Sequence, residues 1–135
     1  MKINSNYFKN VVAIGAFMVM ILLIVLAYLD KKKDDKDLKE NARYTLGTTL
    51  ETFYQYRGNK QLKYSYQVKG KIYQGFVLYK RGVKVQGGRY YVAFSTTDPR
   101  NSKFLYNYAV PSEIQNVPPE GWKTLPRYEK TFIDL

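Results

Sequence analysis

The chain contains no cysteine and no histidine. The first absence removes disulfides, thiolate nucleophiles and cysteine-based metal sites, and with them any reading of compartment from redox chemistry. The second removes the usual general base at neutral pH and the commonest metal ligand, so most hydrolytic and metal-dependent mechanisms lose their central group. Acidic residues are missing from one long stretch. None falls between Glu51 and Asp98, whereas Arg57, Lys60, Lys63, Lys69, Lys71, Lys80, Arg81, Lys84 and Arg89 all do. The formal net charge of +11 is therefore concentrated in a purely cationic middle. Nucleotide signatures are absent too: Gly70-Lys71 is followed by Ile72 instead of Ser or Thr, and the glycines at 82, 87 and 88 fit a basic hairpin loop. Glu51, Asp98, Glu113 and Glu120 form no recognisable catalytic pair, and Ser65 and Ser102 stand near lysines only as often as so basic a chain dictates. The sequence thus points away from an enzyme and implies no cofactor and no metal.

What is present begins with Val11 to Leu29, a run without a charged, amide or proline residue. At about 1.5 Å per residue it makes a helix of roughly 28 Å, close to the ~30 Å hydrocarbon thickness of a bilayer. It exceeds the apolar region of a cleavable signal peptide, and Ala27-Tyr28-Leu29-Asp30-Lys31 lacks small residues spaced for cleavage, so the expectation is an uncleaved transmembrane anchor. Residues 1–10 form a short tail before it. Residues 30–41 form a charged spacer in which Lys31 with Asp35, Lys33 with Asp37, Asp35 with Lys39 and Lys36 with Glu40 are spaced for helical pairing, so that the helix either runs on into water or gives way to a solvated linker. The spacer is no calcium loop, because the glycine and final glutamate of an EF-hand are missing. Lys31, Lys32, Lys33, Lys36, Lys39 and Arg43 outnumber Lys2 and Lys9, which by the positive-inside rule puts the remainder on the cytoplasmic side of a cell membrane. The interleaved Asp30, Asp34, Asp35, Asp37 and Glu40 nearly cancel that charge and leave the N-terminal flank as the competing inside end.

From Ala42 the hydrophobic period changes to two, with tyrosine and β-branched residues enriched. Tyr44, Leu46, Thr48, Leu50, Thr52, Tyr54 and Tyr56 share one face of a first strand, closed by Arg57-Gly58-Asn59-Lys60. Leu62, Tyr64, Tyr66 and Val68 then alternate with Lys63, Ser65, Gln67 and Lys69, a half-buried strand with a basic outer face. Gly70-Lys71 reads as a type II′ hairpin turn into a third strand, Ile72 to Tyr79, whose Gly75 marks a bulge or a close backbone approach. After the basic loop Lys80 to Gly88 come Arg89 to Ser95, a turn at Asp98-Pro99-Arg100-Asn101, and Phe104 to Val110. Pro111, Pro118, Pro119 and Pro126 make residues 111–135 an extended tail, and Trp122 is expected to pack it on the sheet.

This arrangement resembles a group of small membrane-anchored β domains of unknown function. In these, a Tyr-x-Tyr-x-Val-x-Gly-x-x-Tyr hairpin precedes an aromatic strand and an Asp/Asn-Pro-x-Asn-Ser turn. The matching positions are Tyr64, Tyr66, Val68, Gly70 and Tyr73, then Tyr91 and Val92, then Asp98, Pro99, Asn101 and Ser102. The resemblance covers residues 62–110, implies a small β-sandwich or half-barrel beside the membrane, and brings no active site.

The fold expected is therefore one N-terminal transmembrane helix (11–29), then a small all-β domain of about five antiparallel strands (42–110), a sandwich or half-barrel. Its expected role is a noncatalytic binding or accessory subunit at the membrane surface. The nine cations from Arg57 to Arg89 would face an anionic partner, either an anionic lipid surface or an acidic protein. Single-stranded nucleic acid, bound by lysines interleaved with tyrosines, fits poorly because Tyr64 and Tyr66 alternate with Lys63 and Lys69 and so lie on the opposite face. The alternative is a structural subunit that meets its partners through the membrane helix.

Overall fold

A computed structural model describes residues 4–131. Lys2 of the N-terminal tail and residues 132–135 of the C-terminal tail lie outside the described residues. The chain divides into two compact units, Met1–Lys36 and Asp37–Leu135.

The first unit carries most of α1 (Ser5–Glu40), one unbroken helix that is long and apolar enough to cross a membrane. No proline or glycine interrupts it except Gly15, and the charged residues 30–40 continue it without a break. None of its residues is buried, and the large apolar side chains from Val11 to Leu29 are exposed.

The second unit carries β1 (Ala42–Tyr54), β2 (Lys60–Val68), β3 (Lys71–Leu78), β4 (Arg89–Ser95), β5 (Ser102–Ala109) and β6 (Glu129–Lys130). They form one open antiparallel sheet in the order β3-β2-β1-β4-β5-β6. It is a single layer, so the sandwich alternative does not hold, and the strand count rises from five to six because the tail contributes β6. The sheet curls. Phe104 on β5 packs against Tyr64 on β2 (ring centroids 5.0 Å apart), and the Tyr106 hydroxyl of β5 donates to the Leu78 carbonyl of β3.

The concave face holds the core: Leu62, Tyr64, Tyr66 and Val68, with Tyr90, Val92, Phe94, Phe104 and Val83 from the β3–β4 loop. Five bulky rings need room, and β1 supplies it by placing Thr45, Gly47 and Thr49 on this side, all buried. A Cβ at Gly47 would stand 2.4 Å from Val92 Cγ2. Leu46 and Leu50 lie on the other side and are only half-buried. A bulge between Thr49 and Glu51 then shifts the register, pairing Thr49 with Tyr64 but Glu51 with Lys63. An extra residue reverses which side chains face outward. The single face expected to run from Tyr44 to Tyr56 is therefore broken: beyond the bulge Glu51 and Phe53 point out, and Thr52 lies opposite core residue Leu62.

The β2–β3 turn also differs by one residue. Val68 pairs with Lys71, leaving Lys69 (φ 51°) and Gly70 (φ 78°) as its two central positions. Two left-handed residues make a type I′ turn, whose twist matches the flanking strands, instead of the expected type II′. The close approach expected at Gly75 is present, since a Cβ there would stand 2.3 Å from Tyr64 Cζ.

The C-terminal segment is integral to this unit. Tyr44 and Trp122 exchange both backbone hydrogen bonds (2.9 and 2.8 Å), the Trp122 ring meets Tyr91 edge-on at 5.8 Å, and the Lys69 amide donates to Pro119 O at 2.7 Å. The tail thus pairs with β1 where β2 has already ended.

Candidate functional site

Nine cations were expected to form one surface, and the fold sets six of them towards the two ends of β3 and three elsewhere. At the far end of β1 from Ala42, the turn carrying Arg57 adjoins Lys60, Tyr79, Lys80 and Arg81. The Tyr79 amide donates to Lys60 O at 2.8 Å, Lys60 Nζ lies 4.6 Å from the Tyr79 ring centroid, and Lys80 Nζ lies 4.6 Å from that of Tyr106. At the near end, Lys69 occupies the type I′ turn and Lys71 opens β3 with its ammonium 5.4 Å from the Tyr73 ring centroid. β3 runs between these two basic ends, a span of about 24 Å at ~3.4 Å per residue. The lysines lean on tyrosine faces, which attract a cation yet leave its outer side hydrated.

Two of the nine have their charged groups otherwise engaged, and a third, Lys84, ties its backbone to the core. Lys63 meets Glu51, brought beside it by the β1 bulge, at 3.6 Å. Arg89 faces the tail: its guanidinium donates to Pro111 O (3.2 Å) and to Ile114 O, fixing the chain as it leaves β5. Lys84 works through its backbone, its carbonyl accepting from Thr49 Oγ1 (2.8 Å) and its amide donating to Tyr90 Oη (3.1 Å).

The tyrosine hydroxyls of the core are tied as closely. Tyr64 Oη shares a hydrogen bond with Ser102 Oγ (2.9 Å), Tyr66 donates to Pro99 O (2.6 Å) and Tyr91 to Arg127 O (2.8 Å). Burial pushes the phenols of Tyr64, Tyr66 and Tyr91 above their ordinary range. It raises Tyr106 to about 12, with the Tyr64 phenol adding to the shift. All four therefore stay neutral at physiological pH.

Sequence reasoning did not single out the role of Asp37. Its carboxylate accepts from Ser95 Oγ, from Thr97 Oγ1 (2.7 Å) and from Asn41 Nδ2 (2.7 Å), and these bonds hold it below the usual carboxylate range. The charged spacer gave it only a helical pairing partner, because Ser95 and Thr97 are remote in sequence.

A cleft of about 430 Å³ lies over the outer face, between Leu46, Thr48, Ser65, Gln67 and Ile72 on the sheet and Val117-Pro118-Pro119 of the tail. Its polar groups are hydroxyls, an amide and Lys69. Among the described residues no group of three or more acidic side chains is placed to hold a metal ion.

No protein-family model, no curated protein and no solved structure matches the chain.

Proposed function

We propose that this chain is a noncatalytic binding or accessory module held at a membrane by α1, presenting the two basic ends of β3 to an anionic partner. The observation that carries the first half is the apolar run of α1: a helix with an apolar surface all round and no protein covering it is suited to lipid. The second half rests on the far end of β1, where Lys60 lies beside Tyr79 and so beside Lys80-Arg81 in the chain, with Arg57 in the adjoining turn, all within a stretch of sequence that has no acidic residue between Glu51 and Asp98. The basic flank after Leu29 makes the cytoplasm the preferred side.

Two measurements test this. Alkaline carbonate extraction of expressing membranes should leave the protein in the pellet with its N-terminal segment intact; a soluble product beginning downstream of Leu29 refutes the anchor. Reversing Arg57, Lys60, Lys80 and Arg81 to Glu in the full chain, reconstituted in neutral nanodiscs, should abolish binding of fluorescent polyglutamate, and raised salt should do the same to the unmodified chain. Salt-independent binding refutes the electrostatic reading.

A further inference from the structure

β3 is an edge strand. It pairs with β2 on one side, and among the described residues no strand lies along its other side. In a two-residue hairpin the pair flanking the turn, here Val68 and Lys71, exchanges hydrogen bonds, and alternation assigns the remaining pairs. Odd-numbered residues of β3 therefore bond inward to β2, whereas Ile72, Gln74, Phe76 and Leu78 turn their N–H and C=O groups outward. Two contacts beyond the turn agree with this parity: the Tyr79 amide bonds inward to Lys60 O, and the outward Leu78 carbonyl is reached by the Tyr106 hydroxyl. Tyr106 thus occupies one end of the edge, and the backbone of Ile72, Gln74 and Phe76 remains without a sheet neighbour.

Natural edges are usually blunted by proline, a bulge, inward charge or brevity. β3 uses none of these: its eight residues, Lys-Ile-Tyr-Gln-Gly-Phe-Val-Leu, carry one charge, at the end. The residues with outward backbone groups also expose apolar side chains on the outer face, Ile72 at 69%, Phe76 at 59% and Leu78 at 48%, and Phe53 extends the patch edge-on to Phe76.

We infer that the outer edge of β3 accepts an extended segment of a partner polypeptide as an additional strand, with acidic residues at the segment's ends and apolar residues at alternate positions between them. Charge complementarity selects this occupant. Lys69 and Lys71 stand at one end of the strand and Lys80 and Arg81 at the other. A second copy of β3 would set cation against cation in either direction, Lys71 on Lys71 if parallel and Lys71 near Lys80 if antiparallel, whereas an acidic-ended strand satisfies both ends. Backbone pairing supplies affinity and the alternate side chains supply selection, as in other strand-addition complexes. The inference rests on the proposed anionic-partner function for the charge of the segment, but not for the edge that receives it.

The test uses the full chain in neutral nanodiscs and two synthetic probes, Glu-Glu-Val-Thr-Val-Thr-Val-Glu-Glu and the same peptide with lysine at the four acidic places. The acidic probe should bind at least tenfold more tightly and slow amide exchange at Ile72, Gln74 and Phe76. Gln74→Pro deletes one outward N–H that has no partner in the sheet, so it should leave the fold intact by circular dichroism and weaken the acidic probe at least tenfold. A Gln74→Cys chain, which has no native cysteine to compete, gives an independent readout: it should form a disulfide with an acidic probe carrying cysteine at its central valine and not with the lysine version. Binding unchanged by Gln74→Pro, together with no disulfide at position 74, overturns the edge and leaves the cationic surface standing. Equal binding of both probes overturns the charge selection and the proposed anionic partner with it. Spontaneous dimerisation of the Gln74→Cys chain assigns the edge to a second copy, and probe binding that requires added phosphatidylserine vesicles assigns it to lipid; either result overturns the inference.

Discussion

The two edges of the sheet are finished in opposite ways. On the β5 side the chain returns: β6 pairs with Tyr108 and Ala109, Thr131 donates from both its amide and its hydroxyl to Asn107 and Tyr106, and Tyr128 stacks edge-on with Tyr108 at 4.7 Å. The β3 side has a longer strand, more exposed apolar surface and only the Tyr106 hydroxyl at one end. Among the described residues, Tyr128 to Thr131 cover the β5 edge, and no strand covers β3. The contrast teaches that one edge of the sheet is closed by the chain's own backbone while the other keeps its outward backbone groups open.

The comparison breaks most sharply at Gly75. Replacing it with Ala drives a methyl group into the buried Tyr64 ring, which is itself held by Ser102 and packed on Phe104. Overpacking of this kind costs about 1–3 kcal/mol, read as a lowered midpoint in urea for the full chain in detergent micelles. It should also free β3 amides to exchange before those of β4.

On the closed side, Tyr91→Phe removes the hydroxyl that donates to Arg127 O and so loosens the tail while keeping the ring against Trp122. Loss of one such bond costs about 1 kcal/mol. Amide exchange should rise in β5 and β6 and leave β2 and β3 unchanged. A uniform increase across the sheet would show that the tail supports the whole unit and not one edge.

Lys69→Asn sharpens the open side from the other direction. Lys69 is a non-glycine residue in the left-handed region, and Asn-Gly is the preferred pair for a type I′ turn. The substitution should stabilise the hairpin by about 0.5–1 kcal/mol, raising the urea midpoint, and should weaken the acidic probe slightly by removing one cation.

The smallest effect at ordinary pH concerns Tyr106, which joins the two sides of the curled sheet. Its phenol titrates near 12, above the ordinary value of 10.0. A raised phenol pKa means the fold favours the neutral form. This contribution is complete below about pH 10 and is lost as pH rises through about 12, when the hydroxyl can no longer donate to Leu78 O. Absorbance at 295 nm should show one late-titrating tyrosine fewer in Tyr106→Phe than in the unmodified chain, where Tyr64, Tyr66 and Tyr91 are raised as well, and that variant should lose part of the alkaline decline in stability. The carboxylate at Asp37 behaves oppositely. Its pKa is depressed, so its contribution is present above the ordinary value of 3.8 and lost as pH falls below it.

Much of the sheet was legible because its hairpins obey period two. The β2 alternation of Leu62, Tyr64, Tyr66 and Val68 with polar residues appears in the fold as read, and so do the close approach at Gly75 and the packing of Trp122. The continuous face of β1 from Tyr44 to Tyr56 does not survive, because the bulge between Thr49 and Glu51 is set by pairing with β2 and leaves no mark on the local pattern. The concave side is already filled by tyrosine rings from β2 and β4, which leaves room only for Thr45, Gly47 and Thr49. The turn was displaced by one residue because Lys69-Gly70 and Gly70-Lys71 each contain a glycine, and only pairing of Val68 with Lys71 chooses between them. As for the site, the cations were all visible, but their grouping was not, since Arg89 and Lys63 are claimed by the tail and by Glu51.

By itself the sequence determined the apolar helix, the succession of strands and a cationic middle without acids, because length, period and charge are local properties of the chain. Tertiary structure alone decided which strand became an edge, which backbone groups faced outward, and that Lys69, Lys71, Lys80 and Arg81 bracket that edge. Each of these depends on the register between strands, and register is set where separated segments meet, not within any one of them.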